Sequence, residues 1–121
     1  RRGREHFDGL GCGGCHTPRL EGPRGPLPVY SDLLLHDMGD GLSDGRPVFG
    51  ADANEWRTPP LWGIRFIEDV NGHDRLLHDG RARGIEEAIL WHGGEGESSR
   101  DAFMTLAADE REELVAFVNS L

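Results

Sequence analysis

All seven prolines of this chain fall between Thr17 and about Gly84, a run of nearly seventy residues with many glycines and little sustained periodicity at either 2 or 3.6. A structureless stretch of that length inside one compact domain is uncommon. Two expectations follow: the segment is disordered, or it wraps something. Its apolar and aromatic residues (Tyr30, Leu33, Leu34, Leu35, Phe49, Trp56, Leu61, Trp62, Ile64, Phe66) argue for wrapping, because disordered tracts are poor in such side chains. Only Asp32 to Asp37 suggests a short helical turn. With no internal repeat and no domain boundary, residues 1–121 read as a single domain.

Composition sharpens the question of what is wrapped. A chain of this size buries roughly two thirds of its unfolded surface, yet only 36% of its residues are hydrophobic. That deficit of core is a first hint of a bulky prosthetic group. The formal charge of -9 makes nucleic acid a poor partner. All 13 cationic side chains are arginine, so a lysine Schiff base and a P-loop lysine are excluded. No run approaches the ~18 apolar residues of a membrane span. The chain opens Arg1-Arg2-Gly3 with neither Met nor an apolar leader, which leads us to expect that a leader was removed or that the chain is cut from a longer one.

Three segments carry helical signals. Residues 2–10 place Phe7 and Leu10 three apart, with Gly11 as a stop. From Ile85 to about residue 93, Ile85, Ala88, Ile89 and His92 follow i, i+3, i+4, i+7, with Glu86 and Glu87 in the first turn and Gly93-Gly94 at the end. Near the C-terminus, Leu114, Phe117, Val118 and Leu121 repeat that spacing behind Asp109 and Glu110.

Cys12-Gly13-Gly14-Cys15-His16 is the strong motif, a CxxCH. Two cysteines at this spacing can form thioethers to the two vinyl groups of a haem, and the adjacent histidine then lies under the iron as proximal ligand. They are the only cysteines present. Two other readings compete. A thioredoxin-like CxxC needs a βαβ setting with a cysteine at a helix N-terminus, whereas here the helical segment precedes the cysteines. A zinc site needs a closely spaced histidine pair, whereas His6, His36, His73, His78 and His92 are scattered.

The sixth iron ligand has several candidates: Met38, Met104 and the remaining histidines. Met104 lies before the last helical segment, beside Phe103 and Leu106, a setting that equally suits a packing residue. Met38 ends the run Leu33-Leu34-Leu35-His36-Asp37-Met38 and is followed by Gly39 and Gly41, which let backbone approach a flat ring without a Cβ clash.

Taken together, CGGCHTP at Cys12–Pro18, YSDLLLHDMGDGLSDG at Tyr30–Gly45, EWRTPPLWGI at Glu55–Ile64 and LLHDGRARGIEEAILWHGGE at Leu76–Glu95 resemble the C-terminal haem domain of the di-haem thiol oxidoreductases, relatives of bacterial di-haem cytochrome c peroxidases. The resemblance runs over nearly the whole chain. It implies a mainly α, cytochrome c-like haem domain, with N- and C-terminal helices, a helix near 85–93 and a long irregular region around the haem. It also implies a periplasmic or otherwise exported setting and a di-haem parent of which this chain holds one half. In the peroxidases the segment like Arg75–Gly80 carries a methionine where this chain has Leu77, and that departure leaves Met38 as the expected distal ligand, with Met104 as the alternative.

Around this centre, Arg57, Arg81 and Arg83 are candidate partners of the haem propionates, and surface ion pairing is the equal alternative. Pro18 and Trp62 are expected to pack on the haem. His36 and His78 each precede an aspartate, where a turn or a supporting hydrogen bond is expected rather than iron ligation. The implied function is electron transfer through one covalent haem c, passing electrons to a second haem domain or a redox partner protein. Two alternatives stand beside it: a stand-alone monohaem shuttle, and a haem with an open position that reacts with peroxide.

Overall fold

In the computed structural model, which describes residues 1–121, helix α1 (Arg2–Gly9) crosses helix α5 (Ala108–Val118) at Gly3. A Cβ on Gly3 would collide with the Glu113 carbonyl oxygen and lie 2.7 Å from Phe117 Cβ, so only glycine lets the two backbones meet. Phe7, Phe103, Leu114 and Val118 form the buried cluster at this crossing. Phe7 meets Phe117 and Tyr30 edge-on, with ring centres 5.4 and 6.0 Å apart, the geometry aromatic quadrupoles favour. Helix α4 (Glu97–Thr105) contributes Phe103, and helix α3 (Ile85–Leu90) packs Ile85 and Ile89 against the cluster. At the start of α5, Glu110 accepts the Ala107 amide hydrogen at 2.8 Å, satisfying a donor the helix leaves free.

The long middle is ordered, and much of it is extended. Strands β1 (Leu20–Gly22) and β2 (Gly25–Leu27) form a hairpin through Pro23-Arg24. Strand β3 (Leu35–Asp37) pairs with the distant β4 (Glu55–Arg57), setting His36 opposite Trp56. Strands β5 (Arg75–Leu76) and β6 (Ala82–Arg83) form a third antiparallel pair, preceded by helix α2 (Ile67–Asn71).

The expected mainly α, cytochrome c-like architecture is therefore not what the chain forms. Helices do occupy both ends and the segment from Ile85, but five short helices share the fold with six strands in three separate antiparallel pairs, a mixed α and β arrangement. Two- and three-residue strands are too short to write a period of 2 into the sequence. The turn expected over Asp32–Asp37 is not helical either. Ser31 Oγ accepts the Leu33 amide hydrogen and Asp32 Oδ1 accepts that of Leu34, each at 2.9 Å, while Leu33 takes φ 62°. Side-chain oxygens thus capture the donors a helix would need, and β3 follows.

The deficit of core persists in three dimensions. Only 10 of 121 residues are buried, and the chain exposes 7669 Å², whereas a folded monomer of its mass exposes about 6,500 Å². Leu33, Leu34, Leu35, Trp62, Phe66 and Trp91 are among the large apolar side chains left exposed. No helix is long and apolar enough to cross a membrane.

Candidate functional site

Gly11, at φ 82°, ends α1 and starts a tight turn over Cys12–Gly14. The His16 amide bonds back to the Cys12 carbonyl at 3.0 Å, so Cys12, Cys15 and His16 share one coil of backbone. A second segment runs alongside. The Asp32 amide donates to the Cys15 carbonyl at 2.8 Å and the Ser31 amide to the Thr17 carbonyl at 2.9 Å. Ser31 is anchored in turn by its hydroxyl, which donates to the Thr58 carbonyl at 2.8 Å. This pairing sets the Tyr30 carbonyl 3.1 Å from His16 Nδ1, fixing the ring and leaving Nε2 free. Tyr30 takes φ 52°, in the left-handed region that costs a non-glycine residue about 1–2 kcal/mol.

The electrostatics favour neutral donors. Burial pushes the His16 pKa down to about 4, so its imidazole is neutral at pH 7. Burial also pushes the Cys12 thiol up to about 11 and raises Cys15, whose neighbours Asp32 and Glu95 add to the effect. Neither cysteine is in a disulfide. A thioredoxin-type cysteine needs a lowered pKa, and this pair has the reverse.

On the other side of Cys15 lies a network of charges that sequence reasoning missed. The His36 ring sits between two carboxylates, with Nε2 2.8 Å from Asp32 and Nδ1 2.8 Å from Glu95. Those bonds, Glu95 first, raise the His36 pKa, while His36 and the Asp37 amide hold Glu95 below its ordinary range. Burial opposes ionisation of Asp32, but the Leu34 amide and His36 outweigh it and its pKa is also lowered. Cys15, Asp32 and His36 bring donor atoms within 4.8 Å of one another. With both ring nitrogens donating to carboxylates, His36 has no lone pair for a metal, and the expected supporting role describes it better than ligation.

Glu95 also accepts the Asp37 amide hydrogen at 3.0 Å, tying β3 to the segment after α3. The joint is lined with glycine. A Cβ on Gly93 would lie 2.8 Å from the Met38 carbonyl oxygen, and one on Gly39 3.0 Å from the Gly94 nitrogen. One on Gly96 would lie 3.1 Å from the His92 ring and 3.3 Å from Met38 Cε, so the thioether methyl and the imidazole flank the same glycine. His92 donates from Nδ1 to the Ala88 carbonyl at 2.8 Å, and burial lowers its pKa. Its ring centre is 6.4 Å from that of His16. The sequence signal for His92 is its i+7 spacing from Ile85, although α3 ends at Leu90 and His92 lies just beyond it.

The other expected residues disperse. Pro18 is half-buried directly after the motif. Trp62 lines a cleft with Pro28, Tyr30, Arg65, Phe66 and Leu121. Met104 lies just ahead of the final helix as expected, in the last turn of α4, but it is half exposed and not packed in the core. Arg57 is exposed on β4 and its side chain makes no hydrogen bond or ion pair. Arg81 pairs with Asp79 at 2.7 Å and lies over the Trp91 ring, and Arg83 pairs with Glu87 at 3.1 Å. His78 stacks flat on Trp56 with ring centres 3.6 Å apart.

No curated protein and no solved structure matches the chain. A family model does, over residues 1–121, and it is described as di-haem oxidoreductase, putative peroxidase. The match spans the whole sequence, and the chain belongs to the di-haem oxidoreductase family.

Proposed function

We propose that this chain holds one haem c through Cys12 and Cys15, with His16 as proximal ligand, and relays electrons as one half of a di-haem oxidoreductase or peroxidase. The observation that carries this reading is the His16 ring, neutral by burial and aimed by the Tyr30 carbonyl, on the same turn as two free thiols. A metal-ligating histidine ordinarily donates its second nitrogen to a carbonyl or carboxylate, which fixes tautomer and orientation. The donor set therefore fits the group. So does the uncovered apolar surface, which a large flat cofactor would shield.

When bound, the haem supplies a one-electron couple. The protein's part is to present unionised sulfur and a neutral imidazole, and to limit water around them. Of the three expected candidates, Arg57 on β4 is the one left without a carboxylate to meet a propionate, since Arg81 and Arg83 already hold Asp79 and Glu87. The family has two haems and this sequence has cysteines for one, so the reading assigns the second to another domain or a partner protein. It also carries an exported, periplasmic setting, where c-type haem is attached.

The test is a pyridine haemochrome assay after expression with a c-type maturation system. Haem that survives denaturing extraction and is lost in Cys12→Ala/Cys15→Ala supports the reading. A folded chain without covalent haem defeats it.

A further inference from the structure

We propose that His92, and not Met38, is the axial partner of His16, so that the iron is held between two imidazoles. The inference rests on the haem reading above and adds the identity of the second ligand.

Imidazole bonds to a first-row metal are about 2.0–2.1 Å long, and with about 1.1 Å from each Nε2 to its ring centre, two axial imidazoles have ring centres about 6.3 Å apart. His16 and His92 stand 6.4 Å apart. Their planes are inclined by 49°, which axial imidazoles accommodate because each can rotate about the shared axis.

The hydrogen bonds distinguish these two rings from the other four histidines. His16 donates from Nδ1 to the Tyr30 carbonyl, and His92, just past the end of α3, donates from Nδ1 to the Ala88 carbonyl in that helix. Neither Nε2 has a protein partner. Both rings therefore show the arrangement by which proteins orient an imidazole toward a metal. Elsewhere, His36 spends both nitrogens on carboxylates, His6 faces Glu113 through Nε2, His73 accepts the Arg75 amide hydrogen and His78 is stacked on Trp56.

Met38 has a different position. Its carbonyl is pressed against Gly93 and its methyl against Gly96, so it forms part of the wall that holds the His92 segment in place. The His36 and Glu95 bonds fasten the same wall from outside. The absence of a Cβ at Gly96 gives His92 and Met38 room side by side.

The experiment compares the holo chain with Met38→Ala, His92→Ala and His92→Met by optical and near-infrared spectroscopy, electron paramagnetic resonance and redox titration. Covalent haem is scored first and separately, so failure of the haem reading shows as no haemochrome at all. With haem present, the wild type and Met38→Ala are both expected to give the same low-spin bis-imidazole signature, without the red charge-transfer band of methionine ligation. His92→Ala is expected to lose the low-spin signature, and His92→Met to gain the red band with a higher potential. Should a His92 variant not fold, the wild type and Met38→Ala decide alone. A red band in the wild type that disappears in Met38→Ala overturns the proposal, as does a high-spin wild type or a His92→Ala spectrum that remains low-spin.

Discussion

The two ends of the chain and its middle solve the problem of cohesion differently. Where α1 crosses α5, aromatic and aliphatic side chains are shut away from water around Phe7, Phe103, Leu114 and Val118. Where residues 31–39 meet residues 92–96, almost nothing apolar is buried, and contact depends on amides, two carboxylates, one imidazole and four glycines. Apolar burial contributes stability in proportion to area, whereas exposed hydrogen bonds and ion pairs contribute little net free energy. The helical crossing is therefore the part able to hold itself together, and the glycine joint is the part that gains most from a bound group.

The sharpest way to break this contrast is at the crossing. Gly3→Val puts a branched side chain into the Glu113 backbone and is expected to abolish cooperative unfolding, seen as a featureless thermal melt in circular dichroism. Phe103→Ala empties a fully buried site and should cost about 3–5 kcal/mol, measured by urea denaturation. Gly94→Ala, at φ 52° with a Cβ aimed at the Asp37 carbonyl, should cost about 1–3 kcal/mol. Its effect should fall on amide exchange of residues 36–39 and 92–96 while α1 and α5 stay protected. A loss of protection spread evenly over both regions would erase the distinction.

The joint has a pH dependence of its own. His36 is raised in the fold, so its contribution is fully present below its unfolded pKa near ~6.5 and is lost as pH rises through the higher folded value. Asp32 and Glu95 are lowered, so theirs is present above about pH 4 and lost as pH falls through their folded values. His16 and His92 are lowered by burial, so their contribution is present above about pH 6.5 and lost as pH falls through their folded values. Denaturation midpoints should therefore peak near neutral pH and decline on both sides, and Glu95→Gln should flatten the alkaline decline. The smallest effect is expected from Arg57→Ala, within about 0.5 kcal/mol of wild type, since that side chain has no partner in the protein.

The same contrast explains what was legible in the sequence. The crossing could be read because Phe7, Leu114 and Val118 repeat at helical spacing, and burial of one helix face writes that period into a chain. The CxxCH turn was legible because its chemistry fixes residue types at fixed intervals. Helix α4 was not, since Phe103 is its one buried residue and the rest of its surface is polar. Strands β3 and β4 are three residues each and about twenty apart, so no local pattern joins them. Asp32 and Glu95 meet at His36 only after folding, and neither differs in sequence from the other acidic residues. His92 was visible as an inward-facing position, but its relation to His16 is a distance between segments more than seventy residues apart.

Tyr30 is held in a strained backbone conformation, and its carbonyl orients the His16 imidazole. The ring is thereby ordered by the folded chain itself, and on the haem reading proposed above it would not need ordering again when a haem is held. Glycine at this position would relax the backbone and let the imidazole swing, but it would also remove the ring that meets Phe7 and Phe117 edge-on. At this one residue the backbone strain that aims His16 is offset by the packing of the side chain against Phe7 and Phe117.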